Sequence, residues 1–222
     1  MGRKFDPELI PPYPTLQFEN EAWQRGCLSV AGVDEAGRGA LAGPLCAAAV
    51  ILPHDQPDLE KTLFGVRDSK QLSYIEREQW SLKIQEVAID HAVAWVQIEE
   101  IDKLGMTRAG RLAFERAVAG LKEPPSQLLL DFFKLQRLCI PQLSLVKGDQ
   151  RSLSIACASI LAKQARDQLM IELGATYPNY HFDQNKGYGT AQHLKTIEEL
   201  GLCPLHRVSF TEHLLQGKLF DL

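Results

Sequence analysis

Cysteine is scarce in this chain and shows no pairing pattern. Its five cysteines, Cys27, Cys46, Cys139, Cys157 and Cys203, form no C-x-x-C pair and no zinc spacing. An odd number with no secretory leader predicts reduced thiols and a cytoplasmic protein. Long apolar runs are missing too. The longest, Ala40 to Leu52, contains Gly43 and Pro44 and is too short to cross a bilayer, so no membrane partner is expected. Charge of one sign does not dominate: 24 Lys and Arg against 28 Asp and Glu leave a net −4. That excludes a global basic field, so any nucleic-acid contact must come from local patches. There is no Ser-His-Asp or Cys-His constellation, and lone histidines such as His193 and His206 read as structural. Internal repeats and low-complexity stretches are absent.

What is present is ordinary for a soluble globular chain: 222 residues, 45% hydrophobic and 23% charged. That length predicts one domain with a small appendage. Residues 1–27 carry Pro7, Pro11, Pro12 and Pro14 beside Tyr13, Phe18 and Trp23, which predicts an extended N-terminal arm packed through its aromatics. Residues 28–222 form the body.

Within the body, strands are predicted at about 28–34, 45–52, 92–98, 128–131 (continued by Phe132 and Phe133) and 143–146. Ser73 and Glu76 make a capping box for a helix to about residue 90. A short helical turn is predicted at Ile101-Asp102, closed by Gly105. A longer helix follows, capped by Thr107 and ended by Gly120. Ser152 starts a long helix that Gly174 should stop, and further helices are predicted at about 191–200 and 210–216. Alternating strands and helices imply an α/β sheet.

The acids stand where strands end. Asp34 and Glu35 follow the first strand and precede Gly37-Arg38-Gly39. Adjacent residues on a regular strand point to opposite faces, so sharing one site would need the strand to end or bulge there. Carboxylates brought together repel unless a proton or cation lies between them, and magnesium or manganese prefers such oxygens. Asp131 closes a buried strand, and Asp149 precedes a helix N-terminus, where the macrodipole favours an anion. Asp68 and Lys70 read by default as a surface charge pair. Tyr188, between Gly187 and Gly189, is sterically open for stacking or hydrogen bonding. Gly37-Arg-Gly39-Ala-Leu-Ala42 superficially fits a dinucleotide fingerprint, but Pro44 and the following apolar strand argue against the helix that fingerprint opens.

These stretches together resemble the ribonuclease HII family from about residue 28 to 210. The blocks are Gly32-Val-Asp-Glu-Ala-Gly-Arg-Gly39, Asp68-Ser-Lys-Gln-Leu72, Lys147-Gly-Asp149 with Ser154 to Lys163, Arg166-Asp167, Lys186-Gly-Tyr188 and His206-Arg-Val-Ser-Phe210. The resemblance implies a ribonuclease H-like fold: a mixed five-stranded sheet flanked by helices, with a helical C-terminal part. It implies catalytic, metal-binding acids at Asp34, Glu35, Asp131 and Asp149, holding two Mg²⁺ or Mn²⁺ ions about 4 Å apart. The family commonly has Asp-Gly where this chain has Asp131-Phe132, which makes Asp131 the least conforming of the four. Asp167 is the substitute acid, read as supporting the site from behind or pairing with Arg166.

The implied reaction is endonucleolytic hydrolysis of RNA in RNA–DNA hybrids and cleavage 5′ to a single ribonucleotide in duplex DNA, leaving 3′-hydroxyl and 5′-phosphate ends. Such an activity would serve ribonucleotide excision repair and DNA replication. Gly37, Arg38, Gly39 and Tyr188 would read the 2′-hydroxyl. Lys70, Lys147, Lys163 and Lys186 would contact phosphates. A monomer is expected, and the sequence names no sliding-clamp partner. The alternatives are another two-metal nuclease of the same fold, which has no need of the Gly-Arg-Gly and Lys-Gly-Tyr pair, and a non-catalytic nucleic-acid-binding module, in which four retained acids would repel phosphate. The sister ribonuclease HIII family usually adds an N-terminal domain, for which 27 residues are too few.

Overall fold

The computed structural model describes residue 6 and residues 10–216. Five strands form one mixed sheet in the order β3-β2-β1-β4-β5. They are β1 (Val30–Ala36), β2 (Leu45–Ile51), β3 (Asp90–Val96), β4 (Gln127–Asp131) and β5 (Gln142–Leu145). The first three are antiparallel neighbours, while β4 lies parallel to both β1 and β5. A parallel partner needs a long crossover. Helices α4 (Ile98–Leu104) and α5 (Met106–Ala119) provide it between β3 and β4.

Every residue of β2 is buried, which explains why Leu45 to Ile51 is a continuous apolar run rather than an alternating one. One face of the sheet packs on α6 (Leu153–Thr176), with α3 (Tyr74–Val87) outside it. The other face packs on Ala109, Ala113, Phe114 and Ala117 of α5. The short α2 (Leu59–Thr62) and α7 (Phe182–Asn185), with α8 (Ala191–Leu200) and α9 (Val208–Gln216), complete the chain, so the C-terminal part is helical as the resemblance implied. Among the described residues no helix is long and apolar enough to cross a membrane.

Four local expectations are corrected. The predicted extended arm contains a helix, α1 (Gln17–Gln24). The prolines stop at Pro14, and buried Glu19 anchors the helix. Its Oε1 accepts from Ser152 Oγ and Ser154 Oγ, both at 2.6 Å, and from the Ser154 N–H at 2.9 Å. The long helix runs through Gly174 to Thr176 because that glycine serves packing: a Cβ there would lie 2.9 Å from the Asp183 nitrogen. Phe132 and Phe133 do not extend β4, since Phe132 turns left-handed with φ 62° and ends the strand. Helix α5 starts at Met106, with Gly105 and not Thr107 at its cap. The Ser73–Glu76 capping box forms as predicted.

Candidate active site

β4 pairs with β1 only as far as Val33–Leu130, whereas β1 continues beside β2 through Asp34–Ala48 and Glu35–Ala47. The strand is therefore regular at the acid pair, contrary to the end or bulge the sequence demanded. The reason lies in the register: past Val33, β1 has no partner on its β4 side. Asp131 is the last residue of β4, and Asp149 sits in a 3-10 turn (Gly148–Gln150) between β5 and α6. The four acids thus stand at the ends of three neighbouring strands, the crevice where α/β sheets place their sites.

Buried Asp34 accepts the Glu35 N–H at 2.7 Å and a hydrogen bond from Ser159. Ser159 Oγ lies 3.0 Å from Ser69 Oγ. Glu35 Oε1 faces Arg38 Nη1 at 3.7 Å, while its Oε2 is buried with no hydrogen-bond partner. Asp131 Oδ1 accepts the Gly148 N–H at 2.7 Å. Lys70 Nζ stands 3.7 Å from Asp68 Oδ1 and 3.8 Å from Asp149 Oδ2.

These acids hold their protons unusually tightly. Burial, then the charges of Glu35, Asp131 and Asp149, push the Asp34 carboxyl well above its ordinary range, against the Ser159 hydrogen bond. Burial and Asp131 push Glu35 up to about 7, with Arg38 and Lys70 opposing. Burial and the neighbouring Asp68 and Asp131 raise Asp149 to about 6. Asp131 is raised chiefly by burial, against the Gly148 N–H. Burial disfavours the Lys70 ammonium, but Asp68, Asp149, Asp34 and Asp131 together keep it charged above the usual lysine range.

The donor set fits a hard divalent cation. Only oxygen ligands are offered, they repel one another, and Glu35 Oε2 is buried with nothing to accept from. Among the described residues no three acidic, imidazole or thiol side chains converge in a ready metal cage. One oxygen each of Asp34 and Asp131 accepts a backbone N–H, at 2.7 Å in both cases.

Beside the acids opens a cleft of about 770 Å³, lined by Glu35, Gly37, Arg38, Gly39, Lys70, Lys163, Lys186 and Tyr188 among others. All but one of the sequence-predicted binding residues therefore meet. Lys147 is the exception: it is exposed and left-handed at φ 55°, outside the cleft lining. Tyr188 is half-buried, with Lys163 Nζ 5.1 Å and Arg166 Cζ 5.3 Å from its ring centre. Asp167 does not pair with Arg166. It binds Arg77 Nη2 at 2.9 Å and Lys163 Nζ at 2.7 Å, because Arg166 points the opposite way into backbone carbonyls. Lys186 Nζ bonds the Asp183 carbonyl.

Sequence reasoning missed Asp68, Ser159 and Arg77. Asp68 is 7% exposed and holds both the Lys70 N–H and Gln150 Nε2, so it is a fifth acid of the cluster and not a surface charge. Its motif was visible, but D-x-K spacing alone carries no sign of burial.

The sequence profile described as Ribonuclease HII matches residues 31–213. A curated Ribonuclease HII from Anaeromyxobacter sp. (strain Fw109-5) is 49% identical over 92% of this chain and 66% of its own length. One from Acetivibrio thermocellus is 43% identical over 96% of this chain and 81% of its own. The crystal structure of the ribonuclease H2 from Pyrococcus horikoshii OT3 superimposes with TM-score 0.74 and 25% identity, covering 85% of this chain and 98% of that one. With the profile spanning the strands and turns that carry all four acids and the cleft, the chain belongs to the ribonuclease HII family, the type 2 ribonucleases H.

Proposed function

We propose that this chain is an endonuclease that hydrolyses RNA in RNA–DNA hybrids and cuts 5′ to a single ribonucleotide in duplex DNA, leaving 3′-hydroxyl and 5′-phosphate ends. The observation that carries this reading is the joining of two features in one place. Asp34, Glu35, Asp131 and Asp149 cluster at adjacent strand ends, and the cleft beside them brings Tyr188 to Gly37-Arg38-Gly39.

Asp34, Glu35, Asp131 and Asp149 would hold two Mg²⁺ or Mn²⁺ ions, which when bound supply an activated water and stabilise the departing 3′-oxygen. The protein's own part is positioning. Gly37 and Gly39 would offer backbone N–H groups to a ribose, Gly39 with open space where a side chain would stand and Gly37, at φ +94°, with its side-chain position filled by Arg166. Tyr188 offers a hydroxyl, so the 2′-hydroxyl finds partners that deoxyribose lacks. Lys70, Lys163 and Lys186 place positive charge along the cleft for phosphates, despite the net charge of −4. Lys147, outside the cleft lining, would contact more distant phosphates. Asp167 acts through Arg77 and Lys163 and touches no reacting atom. Residues 28–222 would form the catalytic domain of a monomeric, cytoplasmic enzyme.

The test is cleavage of an end-labelled DNA duplex containing one ribonucleotide, beside an all-DNA control, with and without Mg²⁺ or Mn²⁺. The expected result is a metal-dependent cut on the 5′ side of the ribonucleotide only. Equal cutting of the control, or no cut with either metal, overturns the reading.

A further inference from the structure

Two arginines are buried where no catalytic acid is in reach. Arg166 and Arg207 are both 0% exposed. Arg166 donates from Nε to the Pro44 carbonyl, from Nη2 to Ala42 and from Nη1 to Lys186, at 3.0, 3.0 and 2.9 Å. Arg207 donates from Nε to the Gly43 carbonyl and from Nη1 to those of Arg38 and Ala40, at 2.9, 3.2 and 2.8 Å. Its Nη2 is buried without a partner. All six hydrogen bonds end on backbone oxygens: Arg166 bridges the turn from Arg38 to Pro44 and the loop at Lys186, whereas the three from Arg207 all end on the turn.

Those segments also bind each other directly. The Leu41 and Ala42 N–H groups donate to the Gly187 carbonyl at 2.8 and 3.2 Å. The carbonyl of Tyr188 is held by His193, which His206 supports in turn. A carbonyl can only accept, so His193 carries its proton on Nδ1 and donates at 2.9 Å. Neutral His193 Nε2 then accepts from His206 Nε2 at 3.1 Å, and His206 Nδ1 accepts the Cys203 N–H at 2.9 Å.

Burying a guanidinium without a carboxylate is unfavourable, even with the Tyr188 ring centre 5.3 Å from Arg166 Cζ and that of Phe210 5.5 Å from Arg207 Cζ. Burial and the nearby Arg166 charge both work against Arg207. What such a group offers is a rigid, planar fork that several acceptors must fit at once, which a lysine cannot reproduce. The Arg166 fork fixes the distance between the two segments, the Arg207 fork fixes the shape of the turn, and both leave the acids untouched.

We infer that Arg166 and Arg207 are positioning residues that set the spacing between Gly37-Arg38-Gly39 and Tyr188, and so determine selectivity for a lone ribonucleotide rather than hydrolysis itself. This rests on the reading of those residues as the 2′-hydroxyl contacts. A long hybrid offers many ribonucleotides and many registers, so a loosened reader still finds a productive one. A single embedded ribonucleotide offers one.

The experiment compares kcat/KM on the single-ribonucleotide duplex with kcat/KM on a long RNA–DNA hybrid, for the parent, Arg166→Lys and Arg207→Lys, with thermal melting of each. The single-site rate is expected to fall by about tenfold more than the hybrid rate, the scale on which small misplacements act. An equal fall on both substrates marks a merely structural role and overturns the inference, as does an unchanged ratio. In a Tyr188→Ala background Arg207→Lys should shift the ratio no further, and a full additional fall overturns the route through Tyr188. Should a lysine variant not fold, Gly187→Ala probes the same junction, since its Cβ would lie 2.3 Å from the Ala42 oxygen at φ +79°. An unchanged ratio there overturns the inference too. A parent that cuts neither substrate fails the proposed activity first, and the two failures are thereby told apart.

Discussion

Lys70 Nζ lies 3.8 Å from Asp149 Oδ2, and the same ammonium stands 3.7 Å from Asp68. One exposed cation thus faces a crowd of acids that repel each other. Replacing it by Lys70→Met leaves that repulsion uncompensated in the metal-free protein. The melting temperature without metal should fall, and saturating Mg²⁺ or Mn²⁺ should raise it by more in the variant than in the parent. Equal metal-induced rises in a thermal-shift assay would refute this.

Asp34→Asn removes a carboxylate proposed as a metal ligand while keeping the side chain's shape. Cleavage should drop by on the order of a hundredfold or more. Melting without metal should hold or rise, because one buried repulsive charge is gone. Retained activity would sink the assignment of Asp34 to the metal site.

The acid cluster makes stability depend on pH. Glu35 is raised from 4.5 to about 7 and Asp149 from 3.8 to about 6, so the folded state binds these protons more tightly than the unfolded chain does. Their stabilising contribution is complete below the unfolded values and is lost as pH rises through about 6 and about 7. Metal-free protein should lose melting temperature across that window. Glu35→Gln and saturating Mg²⁺ should each flatten the slope, and an unchanged slope in both would show that the acid cluster is not its cause.

His206 works in the opposite direction. Burial lowers its imidazole from 6.5 to about 4, so its contribution is present above the unfolded value and is lost as pH falls through the folded one. His206→Gln should reduce the acid loss of stability between those limits, read by urea unfolding at several pH values. An identical acid profile in the variant would disprove it.

Phe132 is 62% exposed and left-handed at φ 62°, a conformation that disfavours a bulky side chain. Phe132→Gly should stabilise the protein by about 1 kcal/mol, since relief of strain exceeds the entropic cost of glycine. Destabilisation on chemical unfolding would show that its edge contact with Phe133, with ring centres 5.8 Å apart, matters more.

Local and periodic features were legible in the chain before any fold was known. The Ser73–Glu76 box formed because cap and acceptor are three residues apart, and the buried strands followed from their apolar runs. The ordered motif blocks identified the family, because their order along the chain needs no fold to be read. Features that depend on distant partners were settled only in three dimensions. Helix α1 exists because Glu19 reaches Ser152 and Ser154, 133 and 135 residues away. Asp34 and Glu35 join one cluster without a bulge because the pairing with β4 stops at Leu130 while β1 runs on beside β2. Asp68 became a buried fifth acid, and Arg166 left its sequence neighbour Asp167 for carbonyls up to 124 residues away. In each case the deciding partner is brought close only by chain closure, and residue type and spacing leave no trace of it.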